Sequence, residues 1–175
     1  TIYAGTYNEQ IAPGVSGSSG LPITYNVNSG DTVLTDRVNI SNINYIDIND
    51  ININDTAILR LSSINNINLD GITVDGQTGS GGNPLCSISD MVSSTITNCA
   101  ITSDHSWFND VLILSGASNL NLFQGNTFDE KNASLATAAE KTHNLIQFDG
   151  VGGYSASDPQ YNYFKNNNLN NTRHH

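Results

Sequence analysis

Apolar and polar residues alternate with a period of two along most of this 175-residue chain. One eight-residue form of that alternation occurs five times, starting at Ile46, Ile67, Ser94, Asn121 and Asn162. Each copy runs: any residue, polar, apolar, polar, turn-like, inward, polar, apolar. The third position holds Ile48, Leu69, Ile96, Phe123 and Phe164. The sixth holds Ile51, Ile72, Cys99, Asn126 and Asn167, and the eighth Ile53, Val74, Ile101, Phe128 and Leu169. A strand signal that returns every 21 to 41 residues predicts a solenoid. One unit cannot bury its apolar face alone, so the units must stack.

A second strand is predicted in each unit. Its inward pairs are Leu59/Leu61, Cys86/Ile88, Leu112/Leu114 and Ile146/Phe148. In the third unit it lies one residue farther from the next repeat, an offset that a β-bulge would absorb. Residues 1–45 read as N-terminal coils, with a strand near Pro22–Val27 and short strands at Thr32–Leu34 and Val38–Ile40. Residues 46–175 read as five repeat coils, all within one domain. The links to the second strand lie near Asn54–Thr56, Asp75–Pro84, Thr102–Asp110 and Asp129–Asn144. They leave from one corner and lengthen toward the C-terminus. Stacked rungs lie about 4.8 Å apart, so these links are expected to build a wall.

Composition narrows the partners. Sixteen acidic and six basic residues give a formal net charge of −10. Nucleic acid and anionic membrane surfaces both favour clustered Lys and Arg, so neither is expected as a partner. No apolar run reaches the length of a membrane span. Asn (26 copies) and Ile (18 copies) suit tight turns and β-branched strands. For Cys86 and Cys99 a stacked core favours two buried thiols over a disulfide.

The opening segments are Gly5-Thr6-Tyr7-Asn8-Glu9, Ser16-Gly17-Ser18-Ser19-Gly20-Leu21-Pro22-Ile23-Thr24-Tyr25 and Gly30-Asp31-Thr32-Val33. Together with Phe123-Gln124-Gly125-Asn126-Thr127-Phe128, they resemble the right-handed parallel β-helix superfamily. The pattern is most similar to secreted polysaccharide lyases of the pectate, alginate and chondroitin type. The resemblance implies an all-β, right-handed, single-stranded parallel β-helix of about five to seven coils with insertions on one corner. It also implies an internal asparagine ladder at Asn126 and Asn167, an extracellular or cell-surface location and a polysaccharide partner. The family's usual N-terminal capping helix has no counterpart here. That departure points to a window of a longer β-helix, or to a subunit whose ends are covered by neighbours.

Lyases of this class abstract the proton beside a uronate carboxylate. They use Lys or Arg as base, and Ca²⁺ or another cation to offset the carboxylate charge. The resemblance makes Lys141 or Lys165 the base and Arg173 a carboxylate clamp, although none of them matches a family motif. The alternative is solvated surface charge. Asp104, Asp110, Asp129 and Glu130 are candidate Ca²⁺ ligands, as are the stacked Asp47, Asp50, Asp55, Asp70 and Asp75. Acidic residues also fill turns for purely conformational reasons. Aromatic rings stack on sugars, which makes Trp107, Phe108, Tyr161 and Tyr163 candidate substrate contacts, with His105 and His143 beside the first pair. Two functions follow. One is a lyase-like protein that interacts with polysaccharide. The other is a non-catalytic β-helix, such as an adhesin, a tailspike-like segment or a filament subunit that associates end to end.

Overall fold

A computed structural model of the chain describes residues 1–53, 59–76, 84–103, 110–130, 145–149 and 159–171. Every regular element among them is a β-strand, and the pairing between successive turns of the chain is parallel. The strands form three rows around one core, and the curled sheet agrees with the predicted parallel β-helix.

The first row holds the second halves of β1 (Gly5–Ile11) and β3 (Val33–Ser41), then the first half of β6 (Leu59–Asp70). It continues through β8 (Cys86–Val92), β11 (Leu112–Ser115) and β14 (Ile146–Asp149). The second row holds β2 (Ile23–Asn26), β4 (Asn44–Asn49) and the end of β6, then β9 (Thr95–Thr97), β12 (Leu122–Gln124) and β15 (Tyr163–Lys165). The third holds the starts of β1 and β3, then β5 (Ile51–Ile53), β7 (Thr73–Gly76), β10 (Ala100–Ser103), β13 (Thr127–Glu130) and β16 (Asn168–Asn171).

Strict alternation explains this architecture. Parallel pairing in register stacks like positions into columns. The predicted third-position column is the inward column of the second row. Ile48, Leu69, Ile96 and Phe123 are fully buried there. The eighth-position column, Ile53, Val74, Ile101 and Phe128, is buried in the third row. The pairs Leu59/Leu61, Cys86/Ile88 and Leu112/Leu114 close the first row. Cys86 and Cys99 are buried free thiols, as expected. Burial pushes both thiols up, that of Cys99 to about 12, so neither is a thiolate at neutral pH.

The corner between the second and third rows is set by one left-handed residue per turn: Asp50, Gly71, Asn98, Gly125 and Asn166, with φ between 52° and 67°. These occupy the turn-like position of the repeat, where Asn, Asp and Gly tolerate αL. At Gly71 (φ 66°) an added Cβ would stand 2.5 Å from Asp50 Oδ1. Gly71→Ala is therefore expected to cost about 2 kcal/mol, combining backbone strain with displacement of the Asp50 carboxylate. Urea denaturation checks it, and an unchanged midpoint would contradict this account of the corner.

Two expectations need correction. The first position of the repeat is not open to any residue: it is an inward column. Ile46, Ile67, Ser94 and Asn121 there are at most 2% exposed. The extra residue of the third unit does not form a strand bulge either. The register from Cys86↔Leu112 to Ser89↔Ser115 is unbroken. The insertion falls in the following turn, at Gly116 (φ 60°), where αL geometry is cheapest for glycine.

Candidate functional site

The two inward polar columns fix how side chains are displayed outside. At the corner between the first and second rows, the backbone N–H of Ile67 donates to Ser94 Oγ (3.0 Å) and that of Ser94 to Asn121 Oδ1 (3.0 Å). Asn121 Nδ2 donates to the Met91 carbonyl (2.7 Å) and to Asn162 Oδ1 (2.8 Å). Asn162 Nδ2 in turn reaches the Ser118 carbonyl (2.9 Å). At the next corner, Cys99 N–H donates to Asn126 Oδ1 (2.9 Å), and Asn126 Nδ2 donates to the Ile96 carbonyl (2.9 Å) and Asn167 Oδ1 (3.0 Å). The predicted ladder at Asn126 and Asn167 is present, and a second one runs parallel to it.

Immediately before the first position of each repeat lies a residue in αL: Tyr45, Asn66, Ser93, Leu120 and Tyr161. For Leu120 (φ 56°) and Tyr161 (φ 53°) this is an outlying conformation for a bulky side chain. It costs on the order of 1–2 kcal/mol per residue. Tyr45 (φ 59°) adopts the same conformation before Ile46, so the geometry belongs to the corner itself, and at Leu120 and Tyr161 the bonded Asn121 and Asn162 lie next to it. As a result Leu120 is 55% exposed and Tyr161 70% exposed.

The strands that follow continue the display. Leu122 pairs with Tyr163 and Gln124 with Lys165. Both pairs lie on the outward columns of the second row. Tyr163 is 62% exposed. Leu120, Leu122, Gln124, Tyr161, Tyr163 and Lys165 thus form one outer surface across two rungs. It offers phenol rings, an aliphatic floor, an amide and a cation. The Lys165 column runs back through Gln124 and Thr97 to Asp70, three rungs away. At about 4.8 Å per rung that separation exceeds the screening length at physiological salt. Nothing acidic in its column offsets Lys165 at close range.

The structure therefore brings together three of the predicted site residues, Tyr161, Tyr163 and Lys165. Asp129 and Glu130 lie in β13 of the third row, and Asp110 precedes β11 of the first row. The Asp110 carbonyl accepts the Leu85 N–H (3.3 Å). Lys165 is on a different row from these acids. Asp47 and Asp70 are on the second row, Asp50 at the next corner and Asp75 on the third row. Desolvation raises the Asp47 carboxyl. Among the described residues, no group of three or more His, Cys, Asp or Glu is placed to hold an ion. Asp55, Asp104, His105, Trp107, Phe108, Lys141, His143 and Arg173 lie outside the described residues.

Leu120, Leu122 and Gln124 escaped sequence reasoning. Their signal was present, because each sits 41 residues before its partner Tyr161, Tyr163 or Lys165, the spacing of the Asn121–Asn162 rung. Two other recesses are less suited to a saccharide. A polar hollow of about 840 Å³ includes Asn49, Asp50 and Asp70 in its wall and offers neither ring nor cation. A groove of about 360 Å³ on the first row sets Arg60 between Asn39 and Ser87, beside Ser41, Ser62 and Ser89, again without a ring. No family model, curated protein or solved structure matches this chain.

Proposed function

We propose that this chain is an extracellular β-helix that binds an acidic polysaccharide, of the polysaccharide lyase-like kind its opening segments resemble. The observation that carries this reading is the exposed pair Tyr161 and Tyr163 beside Lys165 on one outer surface. A phenol ring packs on the C–H face of a pyranose, and an ammonium group pairs with a uronate carboxylate or a sulfate. Tyr161, Tyr163 and Lys165 follow one another along a single rung, with Leu120, Leu122 and Gln124 on the rung beneath, a line of contacts that suits a linear polymer. Removing one exposed ring costs about 1–2 kcal/mol of binding, or roughly tenfold in affinity.

Affinity electrophoresis and calorimetry with uronate and neutral polysaccharides test the proposal. Tyr163→Ala is expected to weaken uronate binding roughly tenfold. Lys165→Gln is expected to weaken uronate binding and leave neutral glycans unaffected. Retention by a Tyr161→Ala/Tyr163→Ala double variant equal to the parent protein would refute the site.

β-Elimination is the finer reading, with Lys165 or Lys141 as base, Arg173 as clamp and Ca²⁺ as the neutralising ion. It rests on the resemblance. The ultraviolet absorbance of an unsaturated uronate product, followed with and without Ca²⁺, tests it. Activity that survives substitution of all three residues would remove them from the mechanism.

A further inference from the structure

The outer face of the first row carries two columns away from the Tyr161 surface. In one, Asn39, Arg60 and Ser87 are neighbours on consecutive rungs, followed by Ile113 and Gln147. In the other stand Ser41, Ser62, Ser89 and Ser115. The alternation that buries Leu59 and Leu61 turns Arg60 and Ser62 outward. These columns and Pro84 border the groove of about 360 Å³. It lies within the stack, with β1 beyond it on one side and β11 on the other.

Donors dominate this groove. The Arg60 guanidinium brings five N–H groups in a planar fork and no acceptor. Ser41 Oγ already accepts from Asn42 Nδ2 (3.0 Å), and Ser62 Oγ from the Ser89 hydroxyl (3.2 Å). Each therefore keeps its own proton to donate. Asn39 and Ser87 flank the guanidinium with an amide and a further hydroxyl. No carboxylate stands in these two columns on the rung of Arg60 or on the two rungs next to it. From β3 to β14 the one acid in either column is Asp149, three rungs from Ser62. At about 4.8 Å per rung that is beyond the screening length at physiological salt. Asp90, at the corner after Ser89, is turned toward the following rung, where its carboxylate accepts the Ala117 N–H (2.9 Å).

We propose that this groove binds a tetrahedral oxyanion, a sulfate or phosphate group, either free or as an ester on a larger ligand. The guanidinium fork takes two oxygens of such a group, and the serine hydroxyls beside it take a third. A carboxylate has two oxygens, both spent on the fork, and leaves the Ser41 and Ser62 donors unused. The groove offers no ring for a pyranose to stack on, and an ester group needs none. It lies on a different row from Tyr161, Tyr163 and Lys165, so it stands apart from the carbohydrate reading of that surface.

Amide NMR titrations with inorganic sulfate, inorganic phosphate and acetate, at equal ionic strength, test the proposal. Sulfate and phosphate are expected to shift the Ser41, Ser62, Ser87 and Ser89 amides, and acetate to bind about tenfold more weakly. Arg60→Gln is expected to weaken both tetrahedral ions about tenfold. Arg60→Lys keeps the charge and loses the fork, so its affinity is expected to fall between the two. Ser62→Ala is expected to weaken sulfate and leave acetate unchanged. Affinity electrophoresis in dextran sulfate and in plain dextran separates the sources. Retardation by dextran sulfate that Arg60→Gln abolishes and Lys165→Gln does not assigns the groove to ester groups on a polymer. A response to the inorganic ions alone assigns it to a free anion. Three results overturn the proposal: no shift at these amides, acetate binding as tight as sulfate binding, or an Arg60→Gln chain that binds sulfate as the parent does.

Discussion

Asn126→Ala is expected to remove about 4 kcal/mol of folding stability. The Asn126 side chain is fully buried and engages three partners. Truncation leaves the Cys99 N–H and the Ile96 carbonyl without their acceptor and donor inside the coil. It also takes a donor from Asn167 Oδ1. Each buried group left unsatisfied costs about 1–3 kcal/mol, which sets the scale. Domains of this size are stable by about 5–15 kcal/mol, so the loss is a large fraction of the whole. Urea denaturation against Asn168→Ala checks it, since Asn168 is exposed on the outer side of β16. The control is expected to stay within about 0.5 kcal/mol of the parent chain. Equal midpoints for the two variants would show that the ladder does not hold this corner. Asn126→Asp refines the result: it keeps the acceptor for Cys99 and loses both donated bonds.

Phe123→Ala is expected to cost about 3–5 kcal/mol. Phe123 is fully buried, and its ring lies parallel to that of Phe164, with an interplanar angle of 2°. The substitution opens a cavity in the inward column and strips Phe164 of the ring beneath it. The last rung then loosens as well, so thermal melting of this variant is expected to broaden. Ile48→Val in the same column deletes one methyl group and is expected to cost about 1 kcal/mol. A Phe123→Ala variant no less stable than Ile48→Val would contradict the column model.

The fold was readable from sequence because register turns periodicity into contact. Ile48, Leu69, Ile96 and Phe123 are far apart in the chain and alike in chemistry, and parallel pairing makes them neighbours. The column of Asn121 and Asn162 was harder to see. It begins with Ile46 and Ile67 and then changes to polar residues, so a pattern built on hydrophobicity records no preference there. The physical requirement is different: the position must be either apolar or able to satisfy its own polar atoms along the stack. Ser94, Asn121 and Asn162 meet it through the ladder.

The site was half readable. Tyr161 and Tyr163 stood out as aromatic residues beside a repeat. Leu120 and Leu122 did not: Leu120 lies just outside the repeat, and Leu122 fills a position that the repeat otherwise gives to polar residues. The positive φ of Leu120 and Tyr161 turns these two side chains outward at a conformational cost. Backbone handedness of that kind has no signature in hydrophobic patterning. The candidate residues between 104 and 109 and between 131 and 144 fall in the links expected from sequence, on which periodicity places no constraint.

The unequal spacing of the rungs gives the chain a design freedom. Ladder bonds span 27 residues in the middle of the stack and 41 toward its end, yet the pairing register is unbroken on either side. Two corners are pinned, one by αL residues and ladder bonds, the other by ladder bonds and the turns beside them. In the last unit half of the extra length falls between β14 and β15, on the way from the first row to the second, and the rest between the third row and the first. The entropy of closing a loop grows only with the logarithm of its length. A lineage can therefore exchange the segments at those two places for longer or shorter ones, and so change what the molecule meets, without renegotiating the core.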